Sequence, residues 1–107
     1  MNLKKILKFI TEEDKRQRVY YPSKSIDTEV FARAVKLIEE TGEFFDHILK
    51  KYSLQRKQKD SKYENKELSE EFADVVLTSF LLAEAMDINI IESLEKKVEK
   101  IEGRYNS

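Results

Sequence analysis

Two short acidic segments hold the residue types best suited to chemistry in this chain. The first is Glu39-Glu40-Thr41-Gly42-Glu43 and the second is Glu71-Phe72-Ala73-Asp74. Both lie in sequence that favours helix, where residues three or four apart share a face. Glu40 and Glu43 therefore point one way, as do Glu71 and Asp74, and Glu39 sits four residues before Glu43. Two such helices laid side by side bring these carboxylates into one small volume. Like charges that close cost on the order of several kcal/mol unless protons or cations neutralise them. A hard divalent cation is the simplest neutraliser, because it prefers oxygen donors and takes them from carboxylates. Asp74 strengthens the case. It stands between Phe72-Ala73 and Val75-Val76-Leu77 at the expected head of an apolar helix, where an unpaired carboxylate carries a desolvation penalty. With 38% of residues charged, a lone EExxE is ordinarily a solvated face. The added ExxD turns the reading toward a metal.

The elements that must position these acids follow from hydrophobic periodicity. Leu3, Ile6, Leu7 and Ile10 predict a short amphipathic helix from about residue 2, and Tyr21-Pro22 ends that pattern. Asp27 or Thr28 is the expected cap of a second helix over about residues 28–53. In it Phe31, Val35, Ile38, Gly42, Phe45, Leu49 and Tyr52 recur at alternating steps of four and three, a seam that packs into another helix. Gly42 costs about 1 kcal/mol relative to Ala at such a position. A close helix approach, or room for ligand beside the acids, would explain it. Residues 53–66 are almost wholly polar and read as a connector, basic in its first half. A third helix over about 65–86 is apolar nearly all round, which predicts burial on several sides, partly against another subunit. Asp87-Ile88-Asn89 forms the turn, and Asn89 with Glu92 resembles a capping box opening the last helix. There Ile91, Leu94, Val98, Ile101 and Tyr105 form the seam, with Lys97, Lys100 and Arg104 on an adjoining face.

Length and composition bound the rest. The 107 residues predict one domain, 1–107, with only a small core, and chains this short often gain burial by oligomerising. Two glycines, one proline and abundant Lys, Glu, Leu and Ile favour an all-α protein. A net charge of -1 supplies no field to recruit nucleic acid or membrane. The absence of cysteine removes disulfides, thiol catalysis and zinc–thiolate sites. No apolar run approaches the roughly 20 residues of a membrane span, and the N-terminus does not read as a secretory signal. The expected location is cytoplasmic.

With both acidic segments and the basic last helix in place, the chain resembles the MazG-like branch of the all-α nucleotide pyrophosphohydrolases over about residues 28–105. The pattern is EExxE, a variable spacer and ExxD, here Glu39-Glu40-Thr-Gly-Glu43, residues 44–70 and Glu71-Phe-Ala-Asp74. Lys36-Leu37-Ile38 before the first motif and Val75-Val76-Leu77 after the second match as well. The resemblance implies an oligomeric, four-helix-bundle-like fold, a homodimer or homotetramer, that cleaves (d)NTPs to (d)NMP and pyrophosphate. It implies Glu40, Glu43, Glu71 and Asp74 as ligands of Mg²⁺, with Mn²⁺ as a substitute. Glu39 is implied as an auxiliary acid beside Glu40 in the catalytic set. Lys36, Lys97 and Arg104 are implied to bind the nucleoside triphosphate through its phosphates. Where some relatives specific for deoxynucleotides place Asn between that Lys and Arg, this chain has Ile101.

Two other readings compete. A non-catalytic helical oligomer or adaptor with this fold predicts indifference to Glu→Gln changes at the four acids. A di-iron carboxylate bundle needs Glu-x-x-His pairs, and neither Glu43-x-x-Asp46 nor Glu71-x-x-Asp74 supplies one. His47, four residues after Glu43, reads as a solvated histidine on a charged face. Tyr20, Tyr21, Tyr52 and Tyr63 read first as packing residues and second as stacking partners for a base. Asp46 reads as an ion-pair partner of Lys50.

Overall fold

The computed structural model describes residues 1–53 and 61–105, with the backbone alone for 61–65, and within them every regular element is helical. The helices are α1 (Leu3–Tyr20), α2 (Ile26–Lys51), α3 (Ser61–Ala85) and α4 (Ile90–Gly103). The polar connector expected over 53–66 falls partly on residues outside the described set; from Ser61 onward the chain is already α3. Asp74 therefore sits in the middle of a 25-residue helix rather than at the head of one.

Local chemistry sets the ends. Asn2 Oδ1 accepts from the Lys5 amide at 3.0 Å and caps α1. α2 starts two residues earlier than expected because Ser25, not Asp27 or Thr28, is its cap, its hydroxyl accepting from the Thr28 amide at 3.2 Å. Asp27 and Glu29 in the first turn and Lys50 and Lys51 in the last complement the helix dipole. α3 ends at Asp87, whose φ of 56° is left-handed. The Ile88 amide returns to the Ala83 carbonyl at 3.0 Å and the Asp87 amide to Glu84 at 3.2 Å, a Schellman stop. Asn89 then caps α4, its side chain accepting from the Glu92 amide at 3.0 Å, as the capping-box spacing predicts.

α2 and α3 pack together along their length, α1 lies on α3, and α4 touches α3 alone among the described helices. The apolar residues that become buried are few: Ile10, Ala85 and Ile90 among the described residues. The buried polar residues are Asp14, Glu29 and Arg33. Arg33 ties three helices. Its guanidinium is 2.7 Å from Asp14 of α1 and 2.7 Å from Glu29 of α2, and it donates to the Leu81 carbonyl of α3 at 2.7 Å. The radius of gyration is 17.2 Å, where a compact domain of this length has about 13 Å.

The seam expected on α2 is not buried inside the chain. Phe31 is 69% exposed, Ile38 71% and Leu49 71%. The face turned toward α3 lies about a third of a turn round, through Arg33, Leu37, Glu40, Phe44 and His47.

Candidate metal centre

The α2–α3 contact carries the two acidic segments to one place. Glu40 is on the inner face of α2, its side chain mostly covered, and Lys36 one turn before it binds Glu40 Oε1 at 3.0 Å. On α3, Asp74 still exposes part of its surface, so its loss of water is incomplete. That loss of water nevertheless raises its pKa most; the charges of Glu40 across the helix pair and of Glu70 and Glu71 on its own helix add to it, and Lys36 opposes them. Lys36 is in turn pushed above the ordinary lysine value, first by its bond to Glu40 and the charge of that carboxylate, then by Glu39 and Glu43. The two motifs thus feel one another across the helix pair.

Glu71 is held differently. Its Oε1 lies against His47 Nδ1, while its Oε2 is buried and has no hydrogen-bond partner among the described residues. His47 Nε2 reaches Glu67 Oε1 at 3.2 Å, and one ligand atom from each of His47, Glu67 and Glu71 lies within 4.8 Å of the others. The pairing with Glu71 raises the His47 pKa, with partial burial opposing it and the charges of Glu71 and Glu67 adding to it. The reading of His47 as a solvated histidine is therefore corrected: it faces α3, between two carboxylates. The signal was available in its spacing, because Glu40, Phe44 and His47 recur at steps of four and three along the inner face.

Of the acids singled out in the sequence, Glu40 on α2 and Asp74 on α3 lie close enough for their charges to act on one another, and Glu71 faces His47 of α2. Glu39 and Glu43 stay exposed on α2, close enough for their charges to act on Lys36. Lys36 stands among the acids. Lys97 and Arg104 do not: they are exposed at and just beyond the C-terminal half of α4, a helix that packs on α3 and not on α2. Asp46 pairs with Lys50 at 2.9 Å, as its spacing predicts.

These donors fit a hard divalent cation. They are carboxylates, one of them presents a buried oxygen with no partner among the described residues, and a second has its proton affinity raised first by loss of water and then by neighbouring acids. Beside them opens a cleft of about 470 Å³, walled by Phe44, Ile48, Tyr52, Leu68 and Phe72, with Lys51 at its edge. The Phe44 and Phe72 rings lie 6.3 Å apart at 55°. Phe44 directly follows Glu43, and Phe72 directly follows Glu71. Sequence reasoning read Tyr52 first as a packing residue and only second as a stacking partner, and did not single out Phe44 or Phe72 as lining a cleft.

The chain is all-helical, and two of its packed helices carry acids whose charges act on one another, with an aromatic cleft between the same helices. The family model of the MazG nucleotide pyrophosphohydrolase domain matches residues 32–107, most of the chain, and the protein belongs to that family. No curated protein and no solved structure matches it significantly.

Proposed function

We propose that residues 1–107 form one MazG-like domain that hydrolyses (d)NTPs to (d)NMP and pyrophosphate with Mg²⁺, or Mn²⁺ in its place. In this reading Glu40, Glu43, Glu71 and Asp74 hold the cation, and Glu39 orients the attacking water. A water oxygen bonds to phosphorus at the α–β anhydride, the bridging P–O bond breaks, and pyrophosphate leaves. Bound Mg²⁺ supplies charge neutralisation on the phosphates and a more acidic water. Lys36 bonds a ligand carboxylate now and turns to phosphate when a cation replaces it there. Lys97 and Arg104 bind the outer phosphates, Arg as a planar fork and Lys as a point charge. The aromatic cleft takes the base. The enzyme works as a homodimer or homotetramer on the cytoplasmic nucleotide pool, removing unwanted triphosphates. No described helix is long and apolar enough to cross a membrane.

The observation that supports this reading best is the electrostatic coupling of Asp74 on α3 to Glu40 on α2. Charges coupled across two helices are what a bridging cation would neutralise. The test is pyrophosphate release from a panel of dNTPs and NTPs with Mg²⁺ and then with EDTA, with Glu43→Gln alongside. Release that needs the metal and fails in the variant is the expected result. Equal inactivity of folded wild type and variant on every nucleotide would move the reading to the non-catalytic oligomer.

A further inference from the structure

We propose that His47 of α2 and Glu67 and Glu71 of α3 form a second cation site, one that takes a late transition metal such as Zn²⁺ or Co²⁺ in preference to Mg²⁺. The site shares Glu71 with the carboxylate set proposed above and otherwise does not rest on that reading.

Two helices bring the three donors together. Glu67 and Glu71 are one turn apart on α3 and share a face, and His47 meets that face from α2. His47 Nε2 is 3.2 Å from Glu67 Oε1, and Nδ1 lies against Glu71 Oε1. One ligand atom from each residue lies within 4.8 Å of the others. Donors arranged in a tetrahedron around Zn²⁺, at bonds of about 2.0–2.2 Å, stand about 3.4 Å apart. The imidazole binds an ion through one nitrogen, so a carboxylate must turn toward it. The Glu67 side chain is 38% exposed and has the freedom to do so. Three protein donors leave the fourth position of such an ion to water.

The donor types decide which ion. Sets made only of oxygen suit Mg²⁺, which also demands near-octahedral geometry and keeps several waters. An imidazole nitrogen favours the later first-row metals, and two carboxylates complete a set that Zn²⁺ and Co²⁺ accept. A histidinium between the two acids engages one oxygen of each and no more. It leaves Glu71 Oε2 buried without a hydrogen-bond partner among the described residues, on a side chain only 12% exposed. A buried acceptor left unpaired is costly, and a cation on that carboxylate removes the cost. The bound ion ties α2 to the N-terminal half of α3, a link that neither helix makes through its acids alone.

The chain has no cysteine and one histidine, so the untagged protein carries no competing soft donor. Calorimetric titration with Zn²⁺ in excess Mg²⁺ should show a single site, and the nitrogen NMR signals of the one imidazole should shift as it fills. Co²⁺ in place of Zn²⁺ should give the intensified visible absorption of an ion with few ligands. Losing a group that only orients a ligand costs about 10–100-fold in affinity, and losing a ligand costs no less. Glu67→Gln should therefore weaken Zn²⁺ binding at least about tenfold, while Mn²⁺ binding to the carboxylate set is unchanged. Glu40→Gln should do the reverse. If Glu40→Gln fails to fold, Glu67→Gln decides, since that side chain is partly exposed. An imidazole signal that Zn²⁺ leaves in place overturns the proposal. So does Zn²⁺ that an equal concentration of Mg²⁺ displaces, or Zn²⁺ binding that Glu67→Gln leaves intact. None of these measurements reads pyrophosphate release, and Glu67 has no part in the hydrolase reading, so the two fail separately.

Discussion

The two faces of α2 invert the usual pattern of an amphipathic helix. Its inner face, against α3, carries Arg33, Glu40 and His47, each bound to an acid or a base. Its outer face carries Phe31, Ile38, Phe45 and Leu49, each more than half exposed. Apolar area drives association in water, so the side with more of it marks the larger contact the helix is built for. Inside one chain that contact is missing. The inner face does the other job: it gathers charges that are costly to bring together and holds them in fixed positions. On the proposed reading, the same 26 residues would join assembly to chemistry.

The largest expected effect breaks the inner face. Arg33→Met leaves Glu29 buried without its cation and Asp14 with only the more exposed Arg18, and should cost about 3–5 kcal/mol in chemical denaturation. Replacing all three with apolar residues of similar volume (Asp14→Leu, Glu29→Leu, Arg33→Met) should recover most of that loss, since the attraction within a buried ion network roughly offsets its desolvation. Recovery identifies the network as a device for placing α1 and α2 on α3. No recovery means that the specific hydrogen bond to Leu81 matters more than charge balance.

Next comes the chemistry of that face. Glu71→Gln and Asp74→Asn should each lower metal-dependent pyrophosphate release about 10²–10³-fold at saturating nucleotide. In Asp74→Asn, relief of the crowded charge should at the same time leave the metal-free protein no less stable at neutral pH. The logic is in the raised Asp74 pKa: a carboxylate that prefers its proton in the folded state contributes stability at low pH and loses it as pH rises through that value. An amide in its place removes the penalty. A variant both inactive and markedly less stable would instead make the acid a structural group.

The outer face gives a smaller effect that depends on protein concentration. Ile38→Ala should cost about 2 kcal/mol in the assembled protein and little in a chain kept monomeric by dilution. The thermal midpoint of the wild type should accordingly rise with concentration, and that of Ile38→Ala should rise less. A midpoint independent of concentration would remove the contrast between the two faces.

The sequence was informative where local chemistry decides structure and silent where the decision is non-local. Pro22, the Asn89–Glu92 spacing and the Asp87 turn fixed three helix boundaries within a residue or two, because caps and turns act on their own neighbours. The stripe from Phe31 to Tyr52 was visible as a period, but a period says that a face is covered and not by what. The motif spacings put Glu40 and Glu43 on one face of α2 and Glu71 and Asp74 on one face of α3; the packing of those helices adds the charge coupling of Glu40 with Asp74. Lys97 and Arg104 could be recognised by type and spacing, yet the angle at which α4 leaves α3 depends on contacts that no local pattern records. His47 was undervalued for the same reason: its meaning comes from Glu67 and Glu71, which lie on another helix.

His47 also supplies the smallest and sharpest measurement. It engages one oxygen of Glu71, while the other is buried without a partner among the described residues and, on the proposed reading, would be the one offered to a cation. His47→Ala should weaken Mn²⁺ binding, followed by electron paramagnetic resonance, about 10–100-fold, the usual cost of losing the group that orients a ligand, while His47→Gln retains part of it. The imidazole itself reports the same coupling. The pairing with Glu71 raises its pKa above 6.5 in the metal-free fold. Its contribution to stability is therefore complete below about pH 6.5 and fades as pH climbs through the raised folded value. A cation on Glu71 competes for the charge that holds this proton, so Mg²⁺ should lower the His47 pKa. With one histidine in the chain, a single imidazole resonance reads that shift directly. A pKa that stays put while Mn²⁺ binds would move the cation away from Glu71 and onto the exposed side of α2, among Glu39, Glu40 and Glu43.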